Sequence, residues 1–306
     1  METILKGKTT ECINGILGFV VGDAMGVPYE FITRDIMENF PATEMVEYGT
    51  HYQPKGTWSD DTSMTLATLD SLREGYNATD IMKKYVEWYT NGKYTANGNL
   101  FDIGGTTERA IWNYMETKDI TSCGCKTQFD NGNGSLMRML PVCLYCIYQP
   151  ITDETCMEII HEVSSLTHGH AISKIACGIY YWIVHSIINE MPIQFGVDKA
   201  FQFYKNETEI ICFERLKDIK NFGQLPATEI KSSGYVVSTL EASLWCYLTT
   251  ENYKDCILKA INLGGDTDTI AAISGSFAGL TYGYEDIPEE WISSIKRLDY
   301  IKQLCK

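Results

Sequence analysis

Two stretches of the 306-residue chain combine helical apolar spacing with small residues at every third or fourth position. The first runs from Ile13 to Ala24, and its small positions are Gly15, Gly18, Gly22 and Gly26. The second follows Asp268 and carries Ala271, Gly275 and Gly279 on one face. Glycine within a helix costs about 1 kcal/mol relative to alanine, so its repeated use predicts close contact between helix backbones. We therefore expect a crowded central layer built from these two helices.

Helical periodicity also dominates the rest of the chain. Apolar residues recur at three- and four-residue intervals after Asp60 and Asp61 and again from Val236 to Leu248, which is typical of amphipathic helices. A long, mostly apolar segment from Ile172 to Ile188 predicts a buried helix. Short alternating strands joined by hairpin turns are not visible in the sequence. The pattern predicts an all-α fold.

Length alone suggests about two domains, but nothing in the sequence marks a boundary between them. The chain has only eight prolines and no Gly/Ser-rich linker. We therefore predict a single domain over residues 1–306. Residues 121–133 and 207–233 are the least regular stretches, and we expect loops there.

Composition and charge narrow the classes of partner. Hydrophobic residues make up 44% and charged residues 21%, so the chain can bury a large core and is not intrinsically disordered. The formal charge of −15 argues against a nucleic acid or an anionic membrane as partner. The polar start from Met1 to Glu11 and the lack of about 18 consecutive apolar residues predict a cytoplasmic protein. A phosphate-bearing substrate would need a local site of backbone amides, arginine or metal.

The eleven cysteines are expected to be reduced thiols. Cys143 and Cys146 form a C-x-x-C pair, and Cys123 and Cys125 form a C-x-C pair. Neither pair has a second half with zinc-ligand spacing, so we interpret both as core or loop thiols.

Two pairs of carboxylates stand at the start of predicted helices. They are Ser59-Asp60-Asp61-Thr62 and Asp266-Thr267-Asp268-Thr269. Either pair alone is explained by helix capping, because Ser and Asp favour helix N-termini. Brought together, the four carboxylates would repel one another unless cations lay between them. Oxygen ligands of this kind suit two Mg²⁺ or Mn²⁺ ions, with the hydroxyl groups of Ser59 and Thr269 completing the coordination. Such ions could bind a sugar diol and activate water.

Four further motifs are candidates for substrate contacts, and each has a structural alternative. The glycines of Gly132-Asn133-Gly134-Ser135 permit an anion-binding nest but also mark ordinary turns. Arg138 could reach a phosphate or pair with an acidic helix. His168 is a candidate phosphate or ribose contact or a structural histidine. Glu30 is a mobile site carboxylate or a solvated acid, and Asp102 is a helix N-cap or a buried, partnered carboxylate.

Taken in order, these elements resemble the ADP-ribosylglycohydrolase family from about Gly15 to Gly283. The matching motifs are Gly18-x-x-x-Gly22-Asp23-Ala24-x-Gly26 with Pro28-Tyr29-Glu30, Gly56-Thr57-Trp58-Ser59-Asp60-Asp61-Thr62, Phe101-Asp102-Ile103-Gly104, Gly132-Asn133-Gly134-Ser135-Leu136-Met137-Arg138, Thr167-His168, Gly234-Tyr235-Val236-Val237 and Leu263-Gly264-Gly265-Asp266-Thr267-Asp268-Thr269. No single motif is specific, but the ordered set is.

The resemblance implies an orthogonal helical bundle with two Mg²⁺ or Mn²⁺ ions in a central cleft. The implied metal ligands are Ser59, Asp60, Asp61, Asp266, Asp268 and Thr269. The implied catalytic residues are Glu30, Asp60, Asp61 and Asp102. The implied substrate-binding residues, which would hold the pyrophosphate, are Gly132, Asn133, Gly134, Ser135 and His168. The implied reaction is hydrolysis of the glycosidic bond between ADP-ribose and a modified side chain, by attack of water at the anomeric carbon.

The identity of the substrate depends on fewer residues. The Phe-Asp-Ile-Gly element and Trp58 resemble bacterial members that remove ADP-ribose from arginine, and Asp102 would then face the guanidinium. The alternatives are serine-linked or O-acyl ADP-ribose, a non-catalytic ADP-ribose-binding or crystallin-like role, and a two-metal phosphohydrolase. Asp130 and Asn131 replace residues that often contact phosphate in relatives, and Asp130 would repel phosphate if it pointed inward. We expect a monomer that acts on an ADP-ribosylated protein or a small ADP-ribose conjugate.

Overall fold

The computed structural model describes residues 9–306. The prediction about the N-terminus depends partly on residues 1–8, which lie outside this range. Fifteen α-helices occur within residues 9–306: α1 (Thr9–Gly26), α2 (Arg34–Asn39), α3 (Asp60–Leu72), α4 (Ala78–Asn91), α5 (Gly105–Thr117), α6 (Leu140–Tyr148), α7 (Asp153–Ser165), α8 (Ala171–Ile188), α9 (Ile193–Phe203), α10 (Ile219–Phe222), α11 (Val236–Leu248), α12 (Tyr253–Asn262), α13 (Thr267–Tyr282), α14 (Glu289–Ser294) and α15 (Leu298–Leu304). Within the same residues, β-type pairing is limited to three isolated bridges, so the all-α prediction is confirmed.

The two helices with regularly spaced small residues, α1 and α13, pack backbone against backbone at the centre of the fold. A Cβ atom on Gly18 would lie 2.2 Å from the carbonyl oxygen of Gly275, and one on Gly22 would lie 2.1 Å from that of Ala271. A Cβ atom on Gly26 would lie 2.3 Å from the Cα atom of Asp268. The helices therefore run antiparallel, and only glycine fits at these crossings. The expected central layer is confirmed.

The close crossing has a consequence for the site, because it brings the C-terminal end of α1 against the N-terminal end of α13. The hydroxyl group of Thr267 donates a hydrogen bond of 2.8 Å to the carbonyl oxygen of Gly26. Glu30 follows α1 after one 3₁₀ turn, and Asp266 and Asp268 begin α13. Residues that are more than 230 positions apart in the chain thus meet at one edge of the central layer.

Helix positions largely agree with the sequence pattern. The helices expected at 172–188 and 236–248 are α8 and α11, and α3 carries the apolar pattern that follows Asp60 and Asp61. The stretch 207–233 is more ordered than predicted, because it contains 3₁₀ turns at 208–217 and 227–229 and the short helix α10. Arg34 explains part of this order: its guanidinium group donates to the carbonyl oxygens of Ala227, Ile230 and Leu263.

Two helical segments, Thr9–Tyr29 and Ala171–Ile188, are long and apolar enough to cross a membrane by length and composition. However, 83% and 67% of their most apolar windows are buried inside the fold. The core helices of globular proteins have the same properties, so these segments are weak evidence for a membrane span.

Candidate active site

A cavity of about 240 Å³, here called the acidic cleft, opens where the ends of several helices meet. Its lining comes from the starts of α3, α5 and α13, the segment after α1, and the loop before residue 135. The lining residues are Glu30, Phe31, Asp60, Asp61, Asp102, Gly104, Gly105, Thr106, Thr107, Gly132, Asn133, Gly134, Met137, His168, Gly234, Asp266 and Thr269. Most of the residues predicted from sequence are therefore together in one place.

The start of α3 is held by a buried carboxylate that sequence reasoning did not select. Asp23 in α1 accepts hydrogen bonds from the backbone amides of Ser59 and Thr62 and one of 2.6 Å from the Thr62 hydroxyl group. Burial raises the pKa of Asp23 to about 6, and these hydrogen bonds oppose the rise. Asp23 therefore fixes the first turn of α3, which carries Asp60 and Asp61.

Ser59 acts as the N-cap of α3. Its hydroxyl oxygen accepts a hydrogen bond of 3.2 Å from the amide of Asp61. Ser59 is buried and does not line the acidic cleft. The capping interpretation thus describes its contacts, whereas the metal-ligand role implied for it has no contact in its support.

The start of α13 is held by hydrogen bonds to its two carboxylates. The side-chain amide of Asn133 donates a hydrogen bond of 2.7 Å to Asp266 Oδ2. The backbone amide of Thr269 donates one of 2.9 Å to Asp268 Oδ1. The Thr269 hydroxyl group reaches across to Asp61 Oδ1 at 3.3 Å and so links the two carboxylate pairs.

Two carboxylate oxygens in this arrangement have no hydrogen-bond partner. Asp61 Oδ2 and Asp268 Oδ2 are both buried and unsatisfied. Leaving a buried charged oxygen unpaired is costly, and a cation would remove the cost. One carboxylate oxygen from each of Glu30, Asp266 and Asp268 lies within 4.8 Å of the others. The residues present therefore fit a hard divalent cation held by oxygen ligands.

The electrostatics agree with this donor set. Burial, followed by repulsion between neighbouring carboxylates, raises the pKa values of Asp60, Asp61 and Asp268 well above their usual range. Burial also raises the pKa of Asp266, and hydrogen bonds from Asn133 and its neighbours oppose that shift. Burial and mutual repulsion favour the neutral, protonated forms of these carboxyl groups. A bound cation would favour their ionised forms instead.

Glu30 has a partner that no motif indicated. His51 forms a hydrogen bond through Nε2 to Glu30 Oε2, and it reaches the cleft from a loop 21 residues further along the chain. Burial raises the pKa of Glu30 to about 8, while the bond to His51 opposes the rise. The same bond raises the pKa of His51. Glu30 is therefore a buried, partnered carboxylate and not the solvated acid that was its structural alternative.

Asp102 matches neither structural alternative predicted for it. It is half-buried, and the N-cap of α5 is Gly104. Its backbone lies in the left-handed region, with φ at +54°, which aspartate adopts more readily than most residues other than glycine and asparagine. Asp102 can place a carboxylate oxygen within 4.8 Å of ligand atoms from both Glu30 and His51. Glu30, His51 and Asp102 are here called the acidic cluster, and Asp102 is the more exposed of its two carboxylates.

The glycine-rich loop forms a further wall of the cleft and contacts the carboxylates through Asn133. Gly132, Asn133 and Gly134 line the cleft together with His168. Burial lowers the pKa of His168 to about 3, so the imidazole is neutral at physiological pH. Ser135 is not in this wall, because its side chain is buried and faces Cys177 Sγ at 3.5 Å.

Both predictions for Arg138 are wrong. Its side chain is fully buried, donates to the carbonyl oxygens of Gly134 and Val163 and to the Thr167 hydroxyl group, and lies over the ring of Tyr85. It has no carboxylate partner among the described residues and does not line the cleft. Arg138 therefore braces the Gly134 loop from behind.

The first turn of α5 offers backbone amides that could bind an anion in the cleft. Gly104, Gly105, Thr106 and Thr107 line the cleft, while lysine and arginine are absent from its described lining. The N-cap Gly104 makes no side-chain capping bond, so the amides of this turn are free to meet an anion. From sequence, the Gly-Gly-Thr-Thr run was the one signal that could have indicated this wall.

Asp130 does not bring a free negative charge to this wall. Its carboxylate accepts hydrogen bonds from the Thr127 amide and hydroxyl groups, at 2.9 and 2.6 Å, and pairs with Arg109. Asn131 is likewise engaged, with the Ser173 hydroxyl group and His170 Nδ1. The repulsion that an inward-pointing Asp130 would cause therefore does not arise.

The cysteines play no visible part in a metal site. All eleven are free thiols, and none belongs to a group of metal-ligating side chains in the described part of the chain. Cys143 and Cys146 are buried on α6, and Cys123 donates to the carbonyl oxygen of Leu166. The interpretation as core or loop thiols agrees with these contacts.

Comparisons with known proteins agree with this arrangement. The family model for ADP-ribosylglycohydrolases matches residues 8–306. ADP-ribosylarginine hydrolase Tri1 of Serratia proteamaculans is 31% identical over 311 residues, which cover 100% of this chain and 79% of that protein. ADP-ribosyl-[dinitrogen reductase] glycohydrolase of Rhodospirillum rubrum is 30% identical and covers 92% of this chain and 89% of its own length.

A solved structure described as an ADP-ribosylglycohydrolase-related protein complex has the same fold. It superimposes with a TM-score of 0.80 at 27% sequence identity and covers 98% of this chain and 97% of its own. The similarity therefore extends over the whole helical arrangement and is not confined to the cleft.

Proposed function

The chain belongs to the ADP-ribosylglycohydrolase family, and on that premise we propose that it removes ADP-ribose from arginine side chains of proteins with the help of two Mg²⁺ or Mn²⁺ ions. Hydrolysis of ADP-ribose conjugates follows from the family and from relatives about 30% identical. The arginine linkage, the metal dependence and the roles of individual residues are the parts that we add.

The metal dependence is supported by two buried carboxylate oxygens without a partner, one on Asp61, which lines the cleft, and one on Asp268, which lies behind the lining within 4.8 Å of Glu30 and Asp266. Asp60, Asp61, Asp266, Asp268 and Thr269 would hold the cations, with Glu30 adjacent. Divalent cations bound there would supply Lewis-acid chemistry, orienting the ribose hydroxyl groups and lowering the pKa of water.

The chain's own residues would place the rest of the substrate. The amides at the start of α5 and the Gly132–Gly134 wall both line the cleft and would suit a pyrophosphate. Neutral His168 can donate one hydrogen bond there without adding charge. This orientation directs the distal ribose toward the carboxylates.

The acidic cluster at the mouth would receive the modified side chain. Asp102 is half-buried and forms no ion pair within residues 9–306, so its carboxylate would be available to a guanidinium group. His51 holds Glu30 by its hydrogen bond and would keep that carboxyl group in position near the reacting carbon. As the bond to the anomeric carbon breaks, nearby carboxylates would stabilise the positive charge that develops on the ribose.

The test is release of ADP-ribose from an arginine-ADP-ribosylated protein, measured with Mg²⁺ or Mn²⁺ and with chelator. We expect cation-dependent release that an Asp60→Ala, Asp268→Ala double variant loses. Release from a serine-linked or O-acyl substrate instead would preserve the chemistry and contradict the arginine linkage. Binding of ADP-ribose without hydrolysis of any linkage would support the non-catalytic alternative.

A further inference from the structure

The loop of residues 48–52, here called the tyrosine loop, exposes two aromatic rings in an unfavourable backbone conformation. Tyr48 and Tyr52 have φ angles of +66° and +57°, in the left-handed region that glycine and asparagine adopt more easily. Their side chains are 48% and 81% exposed, and their ring centroids lie 5.6 Å apart. The fold alone gives no reason for tyrosine at either position.

The tyrosine loop is fixed by hydrogen bonds to the segment that carries Glu30. The Thr50 hydroxyl group donates a hydrogen bond of 2.7 Å to the carbonyl oxygen of Glu30, and His51 bonds the Glu30 side chain. Gly49 lies so close to Pro28 that a Cβ atom there would be 2.1 Å from the Pro28 carbonyl oxygen. Anything bound to this loop is therefore held at a defined position relative to the cleft.

An aromatic surface connects the loop to the mouth of the cleft. Phe31 lines the cleft and is 65% exposed, and its ring centroid lies 6.1 Å from that of His51. Phe101 also contacts His51, with ring centroids 5.3 Å apart. Aromatic rings therefore lie beside His51 and its partner Glu30, next to the cleft that Phe31 lines.

The sequence segment that carries this surface is acidic. Residues 28–56 contain the carboxylates Glu30, Asp35, Glu38, Glu44 and Glu47 against the cations Arg34 and Lys55. The last four of those carboxylates are exposed and form no ion pair within residues 9–306. The Arg34 guanidinium group is directed inward to backbone carbonyl oxygens and does not neutralise them.

We propose that the tyrosine loop, together with Phe31, is the docking surface for the polypeptide that carries the ADP-ribose, and that this polypeptide is basic around its modified arginine. Aromatic rings beside carboxylates suit guanidinium and ammonium groups, which pair with the acids and stack on the rings. Exposed tyrosines are also frequent energetic centres of protein interfaces. The inference depends on the proposed function and adds the part of the target that lies outside the cleft.

The test compares two substrates with the same glycosidic bond. One is a basic peptide with a single ADP-ribosylated arginine, and the other is ADP-ribosylated free arginine. We expect a Tyr48→Ser, Tyr52→Ser double variant to lower the ratio of kcat/KM for the peptide to that for free arginine by about tenfold, through KM. A Tyr48→Phe, Tyr52→Phe variant should retain most of the ratio, since it keeps the rings.

Phe195→Ser is the matched control, because Phe195 is a partly exposed aromatic residue on α9, which contributes nothing to the cleft lining. It should leave the ratio unchanged. Adding salt should weaken the preference for the basic peptide over one with acidic flanks. If the double serine variant hydrolyses both substrates with an unchanged ratio, the docking surface is wrong. If the unaltered protein hydrolyses neither, the proposed function fails and the inference fails with it.

Discussion

At the scale of single residues, the distinguishing feature of the site is a set of carboxylates whose buried oxygens lack hydrogen-bond partners within the protein. Asp61 Oδ2 and Asp268 Oδ2 are buried without a partner, whereas Asp23, equally buried, is fully hydrogen-bonded. This contrast distinguishes a carboxylate that positions a helix from carboxylates that could bind a cation. The same type of residue thus has two different roles within a few ångströms.

Asp268→Asn should increase the thermal stability of the metal-free protein while it abolishes tight cation binding. Asparagine removes a buried charge that has an unsatisfied oxygen, and it also removes a ligand. Calorimetry without cations and titration with Mn²⁺ check both parts. Asp299→Asn, at an exposed position, is the control and should change neither. A variant that binds Mn²⁺ as the unaltered protein does would contradict the assignment of Asp268.

His51→Ala should lower kcat by about tenfold with little effect on KM, because Glu30 loses the hydrogen bond that holds it. His51→Gln, which keeps a donor at this position, should recover part of the loss. Steady-state kinetics on ADP-ribosylated arginine measure the split. Equal activity of all three proteins would show that the contact between His51 and Glu30 does not matter to the reaction.

At the scale of secondary-structure elements, the ends of α1, α3, α5 and α13 create the site. The carboxylate pairs were predictable because both combine two Asp residues with neighbouring hydroxyl residues at the start of an apolar helix. The α1–α13 contact was predictable because the glycines recur at helical spacing. His51 and Arg138 were not, since their contacts come from the tertiary fold: His51 reaches Glu30 from a separate loop, and Arg138 is enclosed by residues 134, 163 and 167.

Gly22→Ala should destabilise the protein by about 1–3 kcal/mol, because the new methyl group would overlap the backbone of α13 at Ala271. Gly223→Ala is the matched control: a Cβ atom there meets its nearest neighbour at 3.4 Å, an ordinary contact. Chemical denaturation measures both. If the two variants were equally stable, α1 and α13 would not be in backbone contact.

At the scale of the whole molecule, the net charge is −15, and several of the carboxylates that contribute to it line the acidic cleft. The metal-free protein should lose thermal stability as the pH rises from 7 to 8.5. Glu30 has a folded-state pKa of about 8, raised from 4.5, so its stabilising contribution is present at low pH and lost as the pH passes 8. His51, whose pKa is also raised, acts in the same direction. The buried His161 and His168, with lowered pKa values, titrate below this window.

Calorimetry of the metal-free protein at pH 7 and 8.5 tests this sign, with Glu30→Gln as the variant that should lose most of the slope. Mn²⁺ should reverse the trend and stabilise more at pH 8.5, because cation binding requires the ionised carboxylates. A metal-free protein that becomes more stable over this range would contradict the electrostatic description of the cleft.

The bond that the cleft breaks decides the proposed function most directly, and the nucleotide product identifies that bond. The measurement is mass analysis of the products formed from an arginine-ADP-ribosylated protein with Mg²⁺ or Mn²⁺, beside the Asp60→Ala, Asp268→Ala variant. We expect intact ADP-ribose and an unmodified arginine, and we expect the variant to form neither. AMP with a ribose phosphate left on the protein would mean cleavage of the pyrophosphate and would contradict the proposed function.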